Sequence, residues 1–174
     1  GFGDGTESSI DSKGNIYHLS TRQTPKGQVI KFRPDGTIIW QQDSLSIDGY
    51  FGIALSADET RIYYRDFYHI CCRDSSGNSI WLINVMGNSS FPAIGNDGTI
   101  YISNSNHLCA ISPSGTIKWT AGYHTGYIIW PVLDSEGNIY VCGNDITGKY
   151  EVLKITKDGN LIWKYPNLNQ NYAT

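Results

Sequence analysis

Four cysteines and four histidines are the side chains of this 174-residue sequence best suited to redox, metal or nucleophilic chemistry. Cys71 and Cys72 are adjacent, while Cys109 and Cys142 stand apart. Their spacing does not match the CxxC pattern of a zinc site. All four fall in strand-like stretches, where a free cysteine packs as a small apolar residue. Neighbouring strand residues face opposite ways, so a Cys71–Cys72 ring would disrupt the strand. His18, His69, His107 and His124 offer little more. His69-Ile-Cys-Cys72 and His107-Leu-Cys-Ala110 share one repeat position, but no carboxylate recurs with them to complete a metal site. No Gly-x-Ser-x-Gly elbow or Ser-His-Asp order is present. The 16 acids are dispersed rather than paired, and Asn96-Asp-Gly98 is too short for a calcium loop. The sequence therefore assigns no catalytic residue, no metal ligand and no cofactor.

The elements that carry these residues repeat. Gly-x-Ile-Tyr occurs at Gly14–Tyr17, Gly98–Tyr101 and Gly137–Tyr140, and Arg61-Ile-Tyr63 is a copy without the glycine. The tyrosines step by 46, 38 and 39 residues. Gly-x-x-x-Trp ends each copy at Trp40, Trp81, Trp119 and Trp163, with steps of 41, 38 and 44. A period of about 40 residues with several short strands per unit signals a β-propeller, one blade per repeat. The expected fold is all-β: four antiparallel four-stranded blades, either a four-bladed ring or half of an eight-bladed one. The repeats run over about residues 5–44, 45–85, 86–124 and 125–167 of a single domain. Strand a is short and apolar (Gly52–Leu55, Phe91–Ile94, Trp130–Leu133), and strand b carries Ile-Tyr. Strand c carries stretches such as Leu108–Ile111, and strand d carries the Trp. Gly- and Asp-containing turns join a to b and c to d. Apolar residues at consecutive positions suit sheets buried on both faces.

Bulk properties exclude several classes. A net charge of -3 with scattered Lys and Arg gives no electrostatic case for nucleic acid. No 18-residue apolar run offers a membrane span. The chain starts at Gly1 with neither an initiating Met nor a signal peptide, the expected look of a processed or excised piece.

The Gly-x-x-x-Trp endings with their Gly-x-Ile-Tyr hairpins resemble the pyrroloquinoline-quinone-like (PQQ-like) repeat family. That family includes quinoprotein dehydrogenases and the propeller lipoprotein of the outer-membrane β-barrel assembly machine. The resemblance spans essentially the whole chain and is specific for blade type, not for function. It implies that Trp40, Trp81, Trp119 and Trp163 each dock onto a neighbouring blade, and it implies an extracytoplasmic or cell-surface setting. A large ring with an N–H to satisfy suits that structural role. The family ending Ala-x-Asp-x-x-Thr-Gly-x-x-x-Trp is only partly kept: the Asp is absent, and Thr-Gly is replaced by Asp-Gly or Ser-Gly. The chain is thus similar to the cofactor-free members. Cys71-Cys72 resembles the vicinal disulfide over the quinone of some PQQ alcohol dehydrogenases, but it lies inside strand c, and the calcium ligands of those enzymes match no position here. Family propellers usually have seven or eight blades. Four repeats could close alone, pair with a second chain into an eight-bladed ring, or belong to a longer chain.

In a blade, the a–b and c–d hairpins lie at one end, and the b–c and d–a connections lie at the other. The second set varies most, including Thr21–Lys26, Arg65–Tyr68, Asn104–Asn106 and Asp145–Lys149. That is where function tends to sit. The expected ligand surface is aromatic: Tyr50, Phe51, Phe67, Tyr68, Tyr123, His124, Tyr127 and Trp130. The leading expectation is a non-catalytic binding scaffold for a protein, peptide or glycan. The alternatives are a PQQ-type oxidoreductase domain and a purely structural repeat module that self-associates, for instance as a homodimer.

Overall fold

The computed structural model describes residues 8–20, 27–43, 52–66, 69–85, 90–104, 107–123, 128–145 and 147–166. The chain divides into two compact units, Gly1–Gly87 and Asn88–Thr174, and each holds two four-stranded antiparallel sheets. In the first unit, β1 (Ser9–Ile10), β2 (Ile16–Ser20), β3 (Gln28–Phe32) and β4 (Ile38–Asp43) form one sheet. The other comprises β5 (Ile53–Leu55), β6 (Arg61–Arg65), β7 (His69–Asp74) and β8 (Ser79–Asn84). The second unit has β9 (Ala93–Ile94), β10 (Ile100–Asn104), β11 (His107–Ile111) and β12 (Ile117–Gly122). Its second sheet has β13 (Ile128–Leu133), β14 (Ile139–Asn144), β15 (Tyr150–Ile155) and β16 (Leu161–Pro166). Every sheet is a simple meander, and the described residues contain no helix. These are the four blades expected from the repeats.

Register explains why Tyr and Trp recur. Tyr17 lies opposite Lys31, and Lys31 opposite Trp40, so the three share one face of the sheet. The corresponding rows are Tyr63–Cys72–Trp81, Tyr101–Ala110–Trp119 and Tyr140–Lys154–Trp163. In each row the two rings flank the strand c residue, with centroids 6.2, 5.9, 6.1 and 6.1 Å apart. Such aromatic pairs are worth roughly 0.5–1.5 kcal/mol beyond their buried area. Lys31 and Lys154 place their ammonium groups over the flanking tyrosine rings, 4.7 and 5.3 Å from the centroids.

One turn recurs throughout. In Asp11–Asn15 the Asp11 amide donates to Asn15 O, and the Gly14 amide donates to Asp11 O. This is a type I turn closed by a left-handed residue, the three-residue hairpin loop that leaves a bulge. All four c–d hairpins carry a register shift at the same place. The a–b turn Ser56–Arg61 is one residue longer and puts Glu59, a non-glycine, at φ 56°. That conformation costs about 1–2 kcal/mol. It is offset because the Glu59 carboxylate accepts from Ser12 N and Ser12 Oγ, both at 2.7 Å. The copy lacking the glycine thus has a substitute with its own partner.

Within each unit the Trp of one blade lies on the c–d turn of the next. Trp40 Nε1 donates to Ser75 O at 3.0 Å, and Trp119 Nε1 donates to Lys157 O at 3.0 Å. The rings rest on Gly77 and Gly159, where an added Cβ would come within 3.0 Å of the indole. In the second and third blades strands b and c are buried on both faces, as in β10 and β11, whereas in the first and fourth β2 and β14 alternate, and β8 and β12 carry only exposed and half-buried residues. Two expectations change. Asp145–Lys149, placed among the variable b–c connections, is the same tight hairpin turn, with Gly148 at φ 80°. Cys142 is exposed, whereas Cys71, Cys72 and Cys109 are buried; the strand alternation turns Cys142 outward from the buried Val141 and Gly143.

Gly159 and Gly137 separate the turn's demand from the ring's. Both have φ above 80°, but nothing among the described residues lies within 4 Å of a Cβ at Gly137. Gly137→Ala is expected to cost about 1–2 kcal/mol from backbone strain alone. Gly159→Ala should cost a further ~1–3 kcal/mol from overpacking on Trp119. Urea denaturation of the two variants measures the difference; equal midpoints would contradict the ring contact.

Candidate functional site

The hairpin end of the blades is taken up by structure. Asp134 Oδ1 accepts from Glu136 N and Asn138 N, and its Oδ2 accepts from Asn138 Nδ2 and Tyr140 OH. Asp11 makes the corresponding set with Lys13, Asn15 and Tyr17. Hydrogen bonds led by the Asn138 side chain hold the Asp134 carboxyl at about 2 rather than 3.8. The Asp74 carboxyl is also lowered, led by the side chain of Asn78, as is that of Asp145 in a b–c connection at the other end, led by the side chain of Thr147. These acids are turn-builders. A hollow of about 150 Å³ lies among the turns of the second unit, lined by residues including Asp97, Tyr101, Glu136 and Lys157. It is below the ~300–1,000 Å³ of ordinary ligand sites. Among the described residues no group of three or more His, Cys, Asp or Glu is arranged to hold a metal.

The thiols are equally quiet. Cys71 and Cys72 are separate free cysteines, each pushed up to about 12, chiefly by burial. At neutral pH both are protonated and poor nucleophiles. Beside Cys71, Asp66 is 1% exposed and accepts from His69 N at 2.8 Å, with His69 Nδ1 also at 2.8 Å. Asp66 thereby ties the end of β6 to the start of β7.

Six residues of the expected aromatic surface, Tyr50, Phe51, Phe67, Tyr68, His124 and Tyr127, lie outside the described residues. Tyr123 and Trp130 are described, and they have different partners. The Tyr123 hydroxyl donates to Gly159 O, and its ring packs on the core of the second unit beside Trp119. Trp130 is 55% exposed and stacks on Phe91, with centroids 5.2 Å apart and planes 25° from parallel. It sits on β13, the edge strand of its sheet, where pairing with β14 is interrupted between Ile129 and Val132. Pro131, which has no N–H to give a ladder, falls in that interruption. Val132, 60% exposed, extends the apolar surface. Phe91 and Val132 were not singled out from sequence. The signal was present, since Phe91-Pro92 and Trp130-Pro131 occupy one repeat position. The resulting feature is a supported, half-open aromatic platform on an edge strand. Its chemistry is stacking and apolar contact on the edge strand of a sheet.

No family model matches this sequence, and no curated protein matches it. Solved structures do match. A protein of unknown function from Bacteroides caccae superposes with a TM-score of 0.64 at 11% identity, over 93% of this chain and 66% of that one. BamB from Moraxella catarrhalis gives 0.61 at 16% identity, over 92% of this chain and 61% of that one. The gluconolactonase XC5397 from Xanthomonas campestris gives 0.57 at 16%, over 78% and 52%. The fold is a β-propeller. At such identities the likeness carries the fold alone, and the chain spans about two thirds or less of the length of these proteins.

The carboxyl geometry sets an acid dependence. Asp134 is lowered in the folded state, so its contribution is complete above pH 3.8 and is lost as pH falls through about 2. Thermal melts of the wild type and of Asp134→Ala should differ at pH 6 and converge as pH approaches 2. A difference independent of pH would contradict the assigned hydrogen bonds.

Proposed function

We propose that this chain is a single propeller domain of four repeats acting as a non-catalytic binding module for a peptide segment of a partner protein. The observation that carries this reading is Trp130, 55% exposed and stacked on Phe91 along an edge strand. A large exposed aromatic held rigid by a second ring offers contact area at little entropic cost. The edge position of β13 suits pairing with an extended partner segment. The structural likeness to BamB agrees with a module of this kind. The PQQ-like relationship and the docking of all four tryptophans belong to the same reading, with Trp40 and Trp119 as its two direct instances. Self-association of the blade ends into a homodimer also belongs to it.

Selection of binders from a displayed random-peptide library, with a glycan array in parallel, tests the ligand reading. Selected peptides should bind Trp130→Ala at least tenfold more weakly than wild type, about 1.4 kcal/mol or more. Peptide binding indifferent to Trp130→Ala, or binders found only among glycans, would overturn it.

A further inference from the structure

The two docked tryptophans define a donor and a receiver. The donor is the Trp of strand d, and the receiver is the glycine of a c–d turn together with a backbone carbonyl two residues before it. In Gly77 and Gly159 the receiver is filled by an indole. In the turn Arg33–Thr37 the equivalent Gly36 has nothing within 4 Å of an added Cβ among the described residues, although its φ of 85° matches the others. The corresponding carbonyl is that of Pro34. At the other end of the sequence, Trp163 of β16 is 42% exposed, while Trp40 and Trp119 are half-buried. Two residues on, Tyr165 is 59% exposed. Its counterpart on β4, Gln42, lies against the Gly77 receiver. Among the described residues of its own unit, neither this donor nor this receiver has the partner that fills the other two.

We infer that Trp163 of one copy docks on the Gly36 turn of a second copy, its Nε1 donating to Pro34 O, with Tyr165 covering the ring's flank. This rests on the self-association proposed above and is independent of the ligand reading. The interface repeats one formed twice within the chain. Used reciprocally by two copies it gives a closed two-fold assembly. A donor and receiver carried on the same chain otherwise invite open-ended assembly.

Light scattering on the full chain, with sedimentation for affinity, tests this. The expected wild-type mass is that of two copies. Trp163→Ala should weaken dimerisation at least tenfold. Gly36→Asn should do the same, because Asn tolerates the left-handed turn but adds the Cβ that blocks the seat. Far-UV circular dichroism should be unchanged in both, and Gly36→Asn carries the test if Trp163→Ala does not fold. Mixing the two variants should restore association in part, since the mixed pair keeps one of the two contacts intact whereas each variant alone keeps neither. A wild-type monomer, or any mass other than two copies, would overturn self-association by this route. A dimer unaffected by both substitutions would overturn the contact alone. Neither outcome touches the Trp130 reading.

Discussion

An indole lying on the glycine turn of the following blade is the contact on which the rest of each unit depends. It imposes two demands on one residue. The turn needs a backbone at φ near 85–92°, and the ring needs the space a Cβ would fill. Only glycine meets both. The ring in return gains a flat seat and a carbonyl for its Nε1–H, so a large, otherwise awkward side chain is buried without an orphaned donor. Because the Trp also faces its own blade's Tyr across strand c, the contact ties the sheet's register to its neighbour's turn. Shifting strand d by one residue would send the Trp to the opposite face and lose both.

This arrangement divides the blade by labour. The hairpin end carries glycines, turn-building aspartates and their Asn, Tyr and Lys partners, whose polar groups are already bonded to one another. Little there is left to recognise a ligand. Strand a is the edge facing away from the Trp strand, and in the last blade, as β13, it is longer and its pairing is interrupted. Trp130 takes its orientation from Phe91 and leaves its other side open. Exposed apolar surface of this kind is usually a contact surface.

Much of this was legible in the residues. Strand number, turn positions and the Tyr and Trp anchors follow from spacing alone, because the turn chemistry is local and the period is short. Contacts between repeats were less legible. Phe91 and Trp130 are 39 residues apart, and only the fold makes them neighbours. Tyr123 reads as a loop aromatic, yet its hydroxyl reaches back to a turn carbonyl of the next blade. Asp145–Lys149 reads as a variable connection, although Asp and Gly three residues apart is the same signal as the other turns. Exposure of Cys142 depends on which face of β14 is covered, which composition does not encode.

Indole proton exchange measured by NMR on the full chain tests the central contact most directly. The Nε1–H protons of Trp40 and Trp119 donate to Ser75 O and Lys157 O. They should exchange with solvent many-fold more slowly than that of Trp130, whose ring is half open. Exchange of the Trp40 and Trp119 protons at the rate of a free indole would contradict the account, because the turns would then not be seats for the rings.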